Sequence, residues 1–349
     1  VSPTREIEQP IPKAAIAARA PSAAALAAGV SSPSARPRLR TFLTVPVAVG
    51  ATLALHVLIS KAEPAVETQT YTTFLWIALG LAGLLAAATP LWRALRRWME
   101  ETGPIVAAVF GTLCVLETIT TGFRWLPLPY FPSPAGVLQN LVNDRGLIFE
   151  STWHSLILLV GGYALGVALG LVTGICIGWS IRVRYWGMPL LKFVGPVPAT
   201  AWIPLAMVVS PNLTLSSIGL IGLAVWFPVS MLTASGIANT RASFLDVART
   251  LGAGRFYLIF RVAIPAAMPM IFIGLFMGLG ASFLTLVVAE TVGVKSGLGW
   301  YVSWAQGWAE YGKVYAALFI MSVFFSTIMT ALFKMRDRVL VWQKGMIRW

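Results

Sequence analysis

Charge is what this sequence has least of: 13 acidic and 26 basic residues leave it 11% charged and 57% hydrophobic over 349 residues, with a mean hydropathy of +0.78. Soluble domains carry about a quarter charged residues, so a water-soluble fold is excluded and an all-α, polytopic membrane protein is expected. Cysteine is almost missing as well. Cys114 and Cys176 both fall inside apolar runs, which excludes a disulfide framework or a zinc ligand set and reads as two small buried hydrophobes. The two histidines, His56 and His154, lie far apart near span ends, are read as packed or interfacial groups, and are assigned no role. Paired carboxylates, histidine clusters and a Ser/His/Asp set are all lacking, so no catalytic residue, no metal ligand and no cofactor is expected in this chain.

The net charge of +13 would suggest nucleic acid in a soluble protein. Here Lys and Arg occupy short segments between apolar runs, as cytoplasmic loops do, so the expected surroundings are a lipid bilayer and no nucleic acid. Residues Val1 to Arg40 are rich in Ala, Pro, Ser and Arg, with no apolar run long enough for a signal-peptide core beside a cleavage site. They read as a disordered, basic cytoplasmic tail.

Apolar runs then follow one another. Thr41 to Ser60 and Tyr71 to Leu91 form a hairpin (domain 41–100) around a mildly acidic loop. A third run, Pro104 to Phe123, is interrupted by Glu117, and an external loop from Arg124 to Ser151 carries an amphipathic stretch near Val137 to Val142. The fourth runs from about His154 to Ser180, with Arg182 and Arg184 marking the next inner loop. Within it Gly162, Gly166, Gly170, Gly174 and Gly178 recur every fourth residue; such a stripe lets another helix approach backbone to backbone where lipid gives no hydrophobic drive, so this helix is expected to be central.

Phe193 to Thr240 has no charged residue and is too long for one span, so it is split at the turn residues Ser210, Pro211 and Asn212. A seventh run, Ala266 to Ala289, an external loop from Glu290 to Lys313 and an eighth run, Val314 to Phe333, complete the chain. With eight spans every Arg-rich segment shares one side, which places both termini in the cytoplasm.

Pro196, Pro198 and Pro204 leave backbone carbonyls unpaired, tolerable at membrane depth only against protein or a water-filled cavity. They read as pathway-lining, with neighbouring Thr200, or as a packing kink. Glu290 is either a functional acid or a side chain reaching the interface. Gly307, Gly312 and Lys313 have Walker-type spacing, but Val314 stands where Ser or Thr would hold magnesium and no strand precedes, so this is a chance match.

One extended basic segment remains, Arg241 to Pro265. Ser243 and Asp246 have capping-box spacing, which predicts a helix start at Ser243. Phe244, Leu245, Ala248 and Leu251 recur at helical spacing, Gly252 is placed for a left-handed C-cap, Arg255 opens a second helix, and Pro265 is expected to close it. The spacing resembles the EAA loop in permease subunits of binding-protein-dependent ABC importers: Glu-Ala-Ala, three residues, Gly, nine residues, Ile-x-Leu-Pro. Here it reads Asp246-Val247-Ala248, Gly252, then Val262, Ile264 and Pro265.

From about Phe131 to Trp349 the chain looks like the nitrate, sulfonate and taurine branch of that family, through FPSPAGVLQNL at Phe131, VGPVPATAWIPLAMV at Val194 and VVAETVGVKSGLGWYV at Val287. The resemblance implies a permease domain over 101–349 with a core of six spans in a bacterial inner membrane. It also implies a second permease copy, a pair of cytoplasmic ATPases that bind ATP and Mg, and an extracytoplasmic substrate-binding protein. The loop 241–265 would couple the ATPases to the spans, with Arg249 and Arg255 either pairing with their acids or only obeying the positive-inside rule. An ion-coupled carrier or a channel is the competing class, but mid-span ionisable residues are nearly absent. The resemblance implies a small oxyanion as substrate.

Overall fold

The computed structural model describes residues 39–60, 68–126, 129–210 and 212–343. The expected tail is outside the described residues up to position 38, as are most of the 61–70 loop, Pro211 and residues 344–349.

Every regular element among the described residues is helical. Helices α1 (Leu39–Ser60), α2 (Gln69–Ala88) and α3 (Arg93–Glu117) pack on one another, α3 continuing into a π-turn at Thr118–Gly122. Their polar side chains meet inside. His56 Nδ1 pairs with Glu117 Oε1, His56 Nε2 lies 3.0 Å from Thr72 Oγ1, and Thr52 Oγ1 donates to the Phe110 carbonyl at 3.2 Å. His56 thus has a place the sequence did not reveal, tying α1 to both neighbours. Cys114 is half-buried and Cys176 exposed, so the expected burial of both does not hold; Cys176 sits on the face of its helix away from the core.

Helix α4 (Pro134–Asn143) is the amphipathic stretch foreseen in the loop, started by Ser133 accepting from Gly136 N at 3.2 Å. The next helix, α5 (Arg145–Trp179), begins well before the expected His154 and runs 35 residues. Ser180 starts α6 (Ile181–Val194), so Arg182 and Arg184 are helical and not in a loop. Arg184 turns back to donate to the Ile177 carbonyl at 3.2 Å and to the Gly178 carbonyl, satisfying the acceptors left open where α5 ends.

The expected fifth span, from Phe193, is not one helix: it starts at the end of α6 and continues as the segment Ala199–Val209, which ends in α7 (Ile203–Val209) and is folded at 82° to α6. The break holds Gly195, Pro196 and Pro198, where prolines remove amide donors and a helix cannot continue. Gly195 is required there, because a Cβ would lie 1.9 Å from the Phe227 ring. Helix α8 (Leu213–Ala238) starts at Asn212, whose side chain accepts from Thr214 N at 3.0 Å.

After α9 (Ala242–Thr250) comes α10, continuous over Arg255–Gly293, then α11 (Leu298–Gly307) and α12 (Tyr311–Val339). The expected external loop 290–313 is therefore largely a short helix inside the bundle, with Leu298, Tyr301 and Ala305 buried. Burying this backbone is tolerable because helix formation satisfies it. By length and composition six of the described helices can cross a membrane, and the bent pair makes seven at most; α1 contributes a shorter apolar stretch, Leu43–Ile59. These lengths do not confirm the expected count of eight.

The core is a three-helix slab with α8 between α5 and α10. The glycine stripe of α5 faces α8 throughout: a Cβ at Gly162, Gly166, Gly170, Gly174 or Gly178 would come within 2.5–2.8 Å of Ile221, Gly222, Val229, Thr233 or Ile237 respectively. Such separations exist only because no side chain intervenes, and van der Waals contact then substitutes for the missing hydrophobic drive. Thr173 Oγ1 to Ser230 Oγ at 2.6 Å and Trp226 Nε1 donating to Thr173 at 3.1 Å add polar links across the same seam.

Candidate functional site

Helix α9 stands at one end of the slab. Its first residue is Ala242 and Arg241 occupies the N-cap position with no side-chain cap, so Ser243 lies inside the helix and the expected capping box does not form. Asp246 instead accepts from Arg249 Nη1 at 3.0 Å on the exposed surface.

The other end follows the sequence closely. Gly252 has φ of +83°, its N–H bonds the Arg249 carbonyl at 2.9 Å and Ala253 N–H bonds the Ala248 carbonyl at 3.0 Å. These are the two bonds of a Schellman C-cap, which needs a left-handed residue at this point.

Arg255 then opens α10, and here the structure overturns an expectation: Pro265 does not close the helix. A π-turn at Leu258–Ala263 widens the helix immediately before the proline. That extra residue per turn relieves the clash between the proline ring and the preceding turn's carbonyl, so the helix passes through to Gly293. The loop is thereby joined without a hinge to a core helix.

The face α9 presents outward is apolar. Phe244, Val247 and Leu251 are 51%, 61% and 82% exposed, and Phe256 continues the patch at 79%. Leu245 and Ala248 are half-buried against the protein. Leu245 and Ala248, grouped with Phe244 and Leu251 by spacing, are thus turned inward, and Val247 and Phe256 complete the outer face instead. Spacing of three and seven residues from Phe244 would have found Val247; Phe256 follows only from how the Gly252 turn folds back.

A second feature lies where the bent pair meets the slab. A cavity of about 340 Å³ is lined at the break by Pro198 and Thr200, on α8 by Phe227 and Pro228, and on α10 by Met277 and Thr285. Among the described residues no charged side chain lines it. Pro196 and Pro204 are not on its wall; Pro204 sits in the first turn of α7, where the missing N–H costs no bond.

Glu290 is elsewhere. It is fully buried at the end of α10, its Oε1 accepting from Ser155 Oγ at 2.6 Å and its Oε2 from Gly299 N at 2.7 Å, while Ser155 Oγ accepts from Leu298 N at 2.9 Å. The carboxylate therefore serves the open amides at the start of α11, favourable for an anion at a helix N-terminus. Gly297, at φ of +117°, has to be glycine because a Cβ there would lie 2.4 Å from Glu290 Oε1. Lys313, the lysine of the Walker-like spacing, is 2.7 Å from Glu310 and 3.3 Å from Asp144, so it ties α12 to the start of α5.

Residues 166–340, which hold most of the slab, the broken helix and the α9 loop, match the family described as "Binding-protein-dependent transport system inner membrane component". The chain belongs to this family. It is a non-catalytic, inner-membrane permease subunit of an ABC importer. The permease is 30% identical over 256 residues to the taurine transport system permease protein TauC of Escherichia coli (strain K12), covering 70% of this chain and 93% of that protein. It is 34% identical over 229 residues to the putative aliphatic sulfonates transport permease protein SsuC of Bacillus subtilis (strain 168), covering 65% and 81%. A chain of the inward-facing MetNI methionine ABC transporter aligns with a TM-score of 0.49 at 14% identity, over 56% of the permease and 98% of that chain. The family match begins within α5, so α1 to α4 of this permease lie outside it.

Proposed function

We propose that the permease imports a small oxyanion of the sulfonate or taurine kind, delivered by an extracytoplasmic binding protein and driven by a pair of cytoplasmic ATPases that bind the ATP and Mg. Two copies of the chain would enclose the pathway, both termini would be cytoplasmic, and Pro198 and Thr200 would contact it. The observation that carries this reading is the loop itself. An exposed apolar face of Phe244, Val247 and Leu251, set by a left-handed turn at Gly252, leads straight into a buried core helix. An amphipathic helix that leaves its apolar side open is made to lie in a partner's groove. Because α10 is continuous from Arg255, movement of the groove would turn the wall of the 340 Å³ cavity with it. Arg249 and Arg255 supply positive charge beside the same face for acids on the ATPase.

The substrate class is supported by the names of the two relatives above, and by the wall of the cavity. Hydroxyls of Thr200 and Thr285 and no fixed cation suit a solute that must pass and not be held. The test is reconstitution of the permease, the ATPase and the cognate binding protein in vesicles, with taurine, an alkanesulfonate and nitrate offered in turn. Receptor-dependent ATP hydrolysis and uptake of a sulfonate support the proposal. Uptake that survives a disabled ATPase nucleotide site but collapses with an uncoupler would make it an ion-coupled carrier.

A further inference from the structure

Beyond the permease slab, a second cavity of about 350 Å³ lies between the N-terminal helices and the core, walled by α2, α3, the segment before α4, α4 itself and α12. Its wall is made of Phe74, Leu113, Leu116, Phe131, Leu138 and Phe319, with Tyr71, Thr120 and the exposed Tyr315 contributing the hydroxyls. Phe74, Leu116, Phe131 and Phe319 are also 39–59% exposed on the outside of the protein, so the cavity opens onto the apolar surface that faces the bilayer.

One polar atom there is unexplained. Tyr71 is 2% exposed, lines the cavity, and its hydroxyl has no hydrogen-bond partner among the described residues. Thr120 is already committed, donating to the Leu116 carbonyl at 2.7 Å. A buried tyrosine hydroxyl normally finds a partner. Tyr71 stands in the first turn of α2, near the end of a span, and the segment leading to α4 adds Trp125 and Tyr130, aromatic residues that favour the membrane interface. That is the depth at which hydrocarbon gives way to glycerol esters.

We propose that this cavity holds one acyl chain of a bilayer phospholipid, whose ester carbonyl accepts a hydrogen bond from Tyr71 Oη. The apolar wall takes the chain and the hydroxyl takes the ester. No cationic side chain among the described residues lines the cavity, so the site discriminates against no headgroup, and neutral and anionic phospholipids occupy it alike. The lipid fills the joint between the N-terminal three-helix unit and the permease core, helping hold together two bodies that meet mainly through α4. The neighbouring His56 ring, 4.8 Å from that of Tyr71, and the buried Glu117 beyond it belong to the inner side of this joint and keep Tyr71 in place.

The test uses the full chain in vesicles of phosphatidylethanolamine and phosphatidylglycerol doped with phospholipid carrying a photoreactive acyl chain. After illumination, adducts are mapped by peptide mass spectrometry, in parallel for both headgroups. The expected result is adducts concentrated on the cavity residues of α2, α4 and α12, equal for the two headgroups. They should fall several-fold in Leu138→Trp, which fills the cavity, and in Tyr71→Phe, which keeps its shape and removes the donor. Tyr71→Phe carries the test if Leu138→Trp fails to insert. Labelling spread evenly over the lipid-facing surface, wild-type adducts in Tyr71→Phe, dependence on headgroup, or extraction of a stoichiometric molecule other than a phospholipid would each overturn the proposal.

Discussion

Ser155 and Glu290, 135 residues apart in sequence, share a 2.6 Å hydrogen bond that joins α5 to the end of α10 and, through Gly299 and Leu298, to α11. Glu290→Ala orphans the Gly299 amide and the Ser155 hydroxyl at once. A buried unsatisfied group costs about 1–3 kcal/mol, so a clear drop in the thermal midpoint of the purified permease is expected. Glu290→Gln, which keeps one acceptor, should lie between the alanine variant and wild type. Thermal unfolding in detergent checks the order; altered substrate preference at unchanged stability would show that Glu290 serves the pathway instead.

Gly170 sits where its Cβ would lie 2.8 Å from Val229 Cβ, whereas a Cβ at Gly80 meets nothing within 4 Å. Gly170→Leu should therefore force α5 and α8 apart and lower the yield of assembled permease, while Gly80→Leu should be tolerated. Size-exclusion yield and uptake, measured on both, decide it. Equal behaviour of the two variants would mean that the stripe is not the packing seam.

Gly252→Val should uncouple transport without blocking insertion. A β-branched residue at φ of +83° is strained by about 1–3 kcal/mol, enough to redirect the turn that aims Phe244, Val247 and Leu251. Spans drive insertion and are untouched. The readouts are copurification of the ATPase subunit and receptor-stimulated ATP hydrolysis in vesicles; wild-type values for both would reduce the loop to a connector.

Orientation is open to direct labelling. In a variant lacking Cys114 and Cys176, a cysteine at Ala253 should be protected from a membrane-impermeant thiol reagent applied to intact cells, and one at Asn212 should react, because the Arg-rich loop stays on the cytoplasmic side. The opposite pattern would invert the topology and remove the loop from reach of an ATPase.

What the sequence determined by itself was local. The Schellman turn at Gly252 was legible because a left-handed cap depends on one glycine and the few amides around it. The stripe from Gly162 to Gly178 declared a packing face because its spacing is the helix repeat itself. The amphipathic α4 was legible for the same reason, and low charge alone sufficed for a polytopic helical fold.

Only the tertiary structure decided the rest. Nothing in the α5 stripe names α8 as its partner, and a capping-box spacing at Ser243 cannot say that the helix will begin at Ala242. Pro265 looked like a stop because a proline's cost is read locally, while the π-turn that relieves it is held by packing of Leu258 and Ala263 in the core. Likewise His56 and Glu117, or Ser155 and Glu290, are isolated polar letters in apolar runs until the helices that carry them meet. In lipid a buried polar group is tolerable only with a partner, and which partner is a property of the assembled bundle, not of the stretch of sequence on which the group lies.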